Sequence, residues 1–301
     1  MISNLDPSNQ QFLNDLNRIS DRMQNAQRQL STGLRVSQVS DAPDVISTLL
    51  QARASLSATQ QTLTNLGQTK SEVDAGEQTL QSAVSLFDQV QTLGAEGATD
   101  TATASTRTGL SKQLGSLLQQ MVGLAGTKVA GRYIFAGDAD QSAPYTFDST
   151  QTPPVSAYLD SDSTRVAQHP NGTTFPVALS AQQIFDSTDA TTNVFTSIAS
   201  LQAALNNNDT PGIQAALGGM TKVGEYMNQQ LAFYGITQDK VAEATDYGNT
   251  LQTQLQTQIS NLESADMTAA IEELTQSQTQ QQAALQSKAS IPRTTLFNFL
   301  G

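Results

Sequence analysis

The residues able to do chemistry are few, and their surroundings decide what they can do. The only histidine, His169, stands beside Pro170 and Asn171, in a stretch that reads as a turn, where the ring is expected in solvent. With one histidine and no cysteine, neither a zinc site nor a histidine-dependent triad can be assembled within one chain. The Glu-x-x-His pairs that a di-iron helical bundle needs are absent. Residues 126–132 carry glycines at a P-loop-like spacing, but no Lys-Ser or Lys-Thr follows the second glycine, so a phosphate cradle is not supported. Glu263, Asp266, Glu272 and Glu273 lie near one another. On a Gln-rich amphipathic helix such carboxylates are expected on the solvated face, not paired for acid–base work. Asn171-Gly172-Thr173 and Asn208-Asp209-Thr210 fit the N-glycan acceptor pattern, which chance supplies readily. No catalytic residue, metal site or cofactor is expected, and what remains is the chemistry of packing.

That chemistry is carried by stripes of apolar residues. Phe12, Leu16, Ile19, Met23, Ala26 and Leu30 follow one another at alternating steps of four and three, the seam of a coiled coil. Gly33 is expected to stop this helix, and Asp41-Ala42-Pro43-Asp44 to open the next, with Asp41 as its cap. Leu49, Ala52, Leu56, Thr59, Leu63, Leu66, Lys70, Val73, Glu77, Leu80, Val84 and Phe87 continue the alternation. A helix from Pro43 to Leu93 would be roughly 75 Å long, a rod. Leu110, Leu114, Leu117, Met121 and Leu124 return as a third helix.

Five prolines between 136 and 180 forbid long helices there. Residues 145–147, 155–159 and 175–179 read as strands, and Asn171-Gly172 as a two-residue hairpin turn. Helical pattern resumes with Ile198, Leu201 and Leu205, breaks at 206–212, and runs from Ile213 through Leu262. A last helix carries Met267, Ile271, Leu274, Gln278, Gln281 and Leu285 at the same steps, and the chain ends on the apolar residues Leu296, Phe297, Phe299 and Leu300. The expected fold is mainly α with a small β insertion, an elongated antiparallel helical bundle whose N- and C-terminal helices pair. Its expected parts are a terminal coiled-coil region, 1–40 and 263–301, a helical rod, 41–137 and 181–262, and a β-rich outer part, 138–180. The terminal helices are individually weak, since an isolated helix of this length is marginal in water, and they are expected to be disordered alone and to order when neighbours pack on them.

Composition agrees with a thin helical body. Of 301 residues 38% are hydrophobic and only 5% aromatic, too few for a thick core. The formal net charge of -12 offers no basic footprint for nucleic acid and none for an anionic membrane. Only 14% of residues are charged; the polar surface is Gln, Ser, Thr and Asn, which suits close packing against like copies. The start, 1–7, has neither the basic nor the apolar region of a Sec signal, and no apolar run is long enough to cross a bilayer.

Leu30-Ser31-Thr32-Gly33-Leu34-Arg35-Val36 with Ser40-Asp41-Ala42-Pro43 resembles the N-terminal signature of flagellins and flagellin-like proteins. Gly131-Arg132-Tyr133-Ile134-Phe135-Ala136-Gly137, Ile184-Phe185-Asp186-Ser187 with Asn193-Val194-Phe195, and Thr295-Leu296-Phe297 near the end resemble the FlgL family of hook-associated junction proteins. The resemblance spans both ends and the middle of the chain. It implies a non-enzymatic, extracellular structural subunit of the bacterial flagellum, exported by the flagellar type III route without a cleaved signal. Its implied partners are a hook-side hook-associated protein, flagellin, lateral copies of itself in the axial tube, and an export chaperone on the C-terminal region. The assembly interface is then expected at the two stripes, Phe12 to Leu30 and Met267, Ile271, Leu274 and Leu285, with the apolar tail. Filament-forming flagellin is the nearest alternative, and a secreted adhesin or carboxylate-based hydrolase in the β insertion is the alternative of another class.

Overall fold

The computed structural model describes residues 7–38, 41–159 and 164–290. In chain order the elements are α1 (Pro7–Thr32), α2 (Ile46–Gly97), α3 (Ala104–Ala125), β1 (Lys128–Val129), β2 (Arg132–Tyr133), β3 (Val166–Gln168), β4 (Thr174–Pro176), α4 (Ala181–Phe185), α5 (Val194–Asn206), α6 (Thr210–Glu263) and α7 (Met267–Ser290). The fold is mainly α with a small β insertion and paired terminal helices, as the periodicity predicts. The chain forms two compact units, one of 1–57 with 252–301 and one of 58–251.

The larger unit holds the main core. Its part of α2 buries Leu66, Val73, Leu80, Phe87 and Val90 among Leu114, Leu118 and Met121 of α3, Ile198 and Leu201 of α5, and Met220, Val223 and Tyr234 of α6. The predicted stripe of α2 is half right. Ala52, Thr59, Leu66, Val73, Leu80 and Phe87 are buried, but Lys70 is exposed, and Gly76 and Ala83 are buried where Glu77 and Val84 were expected. The second row of the seam therefore steps back one residue beyond Leu63. Gly76 profits from it, because the Tyr234 ring lies where a Cβ would project.

The β part has two small antiparallel hairpins. In the first, missed by the sequence reading, Val129 pairs with Arg132 across Ala130 and Gly131. Both turn residues have positive φ, 50° and 83°, the requirement of a type I′ turn. This turn at Gly131 and the α3 C-cap at Gly126 together account for the glycine spacing that resembled a P-loop. In the second hairpin Gln168 pairs with Thr174. Its turn is not the expected two-residue one. His169 N–H donates to Thr173 O at 2.8 Å and Gly172 N–H to His169 O at 2.8 Å, which leaves Pro170, Asn171 and Gly172 as a three-residue loop with Gly172 at φ 92°. Residues 145–147 and 155–159 meet at an isolated bridge between Phe147 and Val155, with Thr146 N–H donating to Ser156 Oγ at 3.0 Å beside it. The insertion is too short to bury a core of its own; Tyr145, Val155, Ala167 and Val177 instead join the main core of the unit.

The Gly131–Gly137 motif is a structural joint. Ile134, Phe135 and Ala136 are buried, and the Phe135 ring meets Phe185 and Tyr234 edge-on at 6.3 and 6.2 Å. Arg165 donates to the carbonyls of Tyr133 and Ile134 at 3.2 and 2.9 Å and pairs with Glu72 at 2.7 Å. The two terminal nitrogens of Arg165 thus find acceptors on the motif and on Glu72, while its Nε is buried without a partner.

Candidate functional site

The smaller unit contains the residues expected to assemble. In α1, Ala26 is buried and Phe12, Leu16, Ile19, Met23 and Leu30 are half-buried. They are kept there by α7, which runs antiparallel to α1. Near one end Lys288 donates to Asn9 and lies 5.5 Å from the Phe12 ring centre. At the middle Arg22 donates to Glu273 at 2.6 Å and to Gln280 at 3.2 Å, and Ser277 donates to the same Glu273 oxygen at 3.1 Å. At the other end Ala265 N–H donates to Gly33 O at 2.9 Å. The hydrogen bond from Arg22 holds the Glu273 carboxyl below the ordinary carboxylate range.

The face of α7 turned inward differs from the predicted stripe. Ala270 and Ser277 are buried, and Glu273, Leu274, Gln280, Gln281, Ala284 and Lys288 are half-buried. Met267, Ile271 and Leu285 stay 45%, 55% and 51% exposed. The helix therefore carries two seven-residue patterns one position apart. A small-residue pattern, Ala270, Ser277 and Ala284, faces α1, and the apolar pattern read from the sequence lies on the adjoining face. Leu274 sits on the border between them. Leu13 of α1 and Leu50 of α2, 44% and 56% exposed, are further uncovered apolar residues that the periodicity missed, since each lies beside a seam and not in it. Leu296, Phe297, Phe299 and Leu300 lie outside the described residues.

Between these helices the chain is fixed by its connectors. Gly33, at φ 71°, ends α1 as expected. Asp41 does not cap α2, which begins at Ile46. Its carboxylate turns back and accepts from Ser37 N–H at 3.0 Å, Ser37 Oγ at 2.9 Å and Gln38 N–H at 2.8 Å. The bond from Gln38 and the two from Ser37 hold this carboxyl below its ordinary range. Val36, Ala42 and Leu49 form a small core with Val45, Ile46, Ile259 and Leu262.

The carboxylates expected on a solvated face are in part structural. Glu263 is 8% exposed and pairs with Arg53 at 2.5 Å; Asp266 caps α7, accepting from Thr268 and Ala269 N–H at 2.9 and 3.1 Å; Glu273 pairs with Arg22. Glu272 is exposed. His169, in the larger unit, is half-buried and lies 5.1 Å from the Tyr247 ring, and its Nδ1 accepts from Asn171 N–H at 3.1 Å. Asn171 is exposed, and Asn208 is held by Arg107 at 2.6 Å. Among the described residues no three side chains of the metal-ligating kinds converge, and no helix is long and apolar enough to cross a membrane.

What this surface can do is hold helices side by side, and known proteins with the same fold are flagellar. A protein of Vibrio parahaemolyticus assigned to the flagellar hook-associated proteins superposes with a TM-score of 0.65 at 18% identity, over 74% of this chain and 100% of that one. Hook-associated protein 3 of Legionella pneumophila gives 0.61 at 11% identity, over 72% and 98%. FlgL of Xanthomonas campestris gives 0.59 at 16% identity, over 70% and 99%. Among curated proteins no relative matches. The family model of the bacterial flagellin N-terminal helical region matches residues 2–140, and that of the bacterial flagellin C-terminal helical region matches residues 217–300. With both halves of that pattern present and together spanning most of its length, the chain belongs to the bacterial flagellin family.

Proposed function

We propose that this chain is the junction subunit of a bacterial flagellum, a structural adapter that joins a hook-side hook-associated protein to the first flagellins of the filament. The observation that carries the reading is the second stripe of α7. Met267, Ile271 and Leu285 repeat at coiled-coil spacing on a face that α1 leaves open, and a solvent-facing apolar stripe beside an occupied seam is a place for another helix. The hook-associated proteins that share the fold support the junction role over other roles within the family. Phe12, Leu16, Ile19, Met23, Ala26, Leu30 and Leu274 act as the frame of this interface, Met267, Ile271 and Leu285 as its contact residues, and Leu296, Phe297, Phe299 and Leu300 as its extension. The chain is not an enzyme; it works outside the cell, reaches that place through the flagellar export apparatus, and is escorted by a chaperone on its C-terminal region. Neighbours that pack on the paired terminal helices of 1–40 and 263–301 add to their stability.

A second reading, filament-forming flagellin, is favoured by the two family regions themselves. Purified protein in concentrated salt separates the two. The adapter stays in short oligomers, whereas long filaments grown from this chain alone would establish the second reading.

A further inference from the structure

Inside the seam between α1 and α7, Lys288 with Asn9 and Phe12 is the contact that a slip of one heptad would not reproduce, since Gln281 stands one heptad before it; the buried row carries little register of its own. On α7 the buried or half-buried positions 270, 277 and 284 are Ala, Ser and Ala, so a slip of one heptad sets a small residue on a small residue. Apolar knobs fix coiled-coil register only where they differ in size from one turn to the next. On the α7 side the large apolar residues Met267, Ile271 and Leu285 face away from this seam, and Leu274 is half-buried at its border. Of the polar contacts, Arg22 already bridges two of its successive positions, Glu273 and Gln280, and glutamine can replace glutamate as an acceptor after a slip.

The connectors at one end of the pair have what the seam lacks. Leu34 and Ser264 form an antiparallel bridge. Arg35 N–H donates to Glu263 O at 2.7 Å and Ala265 N–H to Gly33 O at 2.9 Å. The Arg35 guanidinium donates to Leu262 O at 2.9 Å, at the end of α6. Arg53 closes the joint on the Glu263 carboxylate, and Val36 lies against Leu49 and Leu262 in the small core. Backbone pairing has one register, since a one-residue slip turns Val36 out of that core.

We propose that these connectors form a clasp that sets the register of the terminal helix pair, as a tight turn sets that of a β-hairpin. The clasp fixes residue 33 against 265, α1 and α7 lengthen away from it, and the α7 stripe is presented at one height along the pair. The inference concerns the pairing within one molecule and does not rest on the junction role.

The cysteine-free chain allows a direct test. Spin labels at Leu13→Cys and Met267→Cys, exposed positions toward opposite ends of the pair, read its axial offset by dipolar spectroscopy. The parent is expected to give one narrow distance peak. Ala265→Pro, which removes the donor to Gly33, is expected to add a peak displaced by about 10 Å, the length of one heptad at about 1.5 Å per residue, or to abolish the peak while circular dichroism retains the helices. Should Ala265→Pro lose the helices themselves, Arg53→Met is read in its place and is expected to broaden or split the peak. A parent without a single peak overturns the proposal, and so does a helical variant of either kind that keeps the parent peak unchanged.

Discussion

The contact between Gly76 and Tyr234 shows how one residue can decide the packing of two helices each more than fifty residues long. Tyr234 is 2% exposed, meets Phe135 and Phe233 edge-on, and accepts at its hydroxyl from Leu179 N–H at 3.3 Å. Burial pushes its own hydroxyl pKa well up, so it remains neutral. Gly76→Ala places a methyl group into that ring, and overpacking of this kind costs about 1–3 kcal/mol. Gly109 of α3 has nothing within 4 Å of its Cβ position, and Gly109→Ala is expected to stabilise by about 0.5–1 kcal/mol. Urea unfolding of the two variants should move the midpoint in opposite directions. The sequence did not reveal Gly76, because a strict three-four alternation names Lys70 and Glu77, and a glycine carries no apolar signal of its own. Arg107 was equally silent. It is 6% exposed and donates to Gly97 O, Thr99 O and Asn208 Oδ1 at 2.8, 3.2 and 2.6 Å, three acceptors brought together only by the fold.

The helices themselves were legible, since long amphipathic periodicity is the strongest local signal a sequence has. The α7 face was not, because a stripe of large apolar residues does not tell whether its partner lies within the chain or outside it. Here the inner seam took the smaller residues and left the larger ones open. The Arg22–Glu273 pair makes this element sensitive to acid. Because pairing lowers the Glu273 pKa, its contribution to the α1–α7 pair is complete above the ordinary carboxylate range and is lost as pH falls through the lowered value. Protection of α7 amides, corrected for intrinsic exchange, should therefore fall as the medium is acidified below the ordinary carboxylate range, and Glu273→Gln should lessen that dependence. Both side chains are partly exposed, 40% and 36%, so solvent screens the pair and the effect is modest. Replacing Leu16 and Ile19 together by Asp acts on the opposite helix. It should leave the main urea transition, which reports the 58–251 unit, in place and abolish incorporation of the protein into flagella; a lowered main transition would show that α1 belongs to the core.

At the scale of the molecule, two compact units share two long helices, and their stabilities are expected to differ. The larger has an extended apolar core, while the smaller relies on a few half-buried seams and its connectors. Limited proteolysis should trim both ends and spare the stretch from about residue 58 to about residue 251. The sequence made the symmetric plan of helices, insertion and helices plain. It misjudged how far the insertion stands apart, because short strands interrupted by prolines look independent until their buried side chains are traced into the helical core. With Tyr145, Val155, Ala167 and Val177 in that core, removal of 138–180 as a block would unfold the larger unit. A shortened loop at Pro170–Gly172 is the milder way to ask whether the outer surface is needed. The central claim, that this chain is the adapter on which the filament begins, is tested most directly by deleting its gene and examining the cells by electron microscopy together with the culture medium. The adapter predicts hooks that end bare, with flagellin released into the medium; filaments of ordinary length on the deletion cells would contradict it.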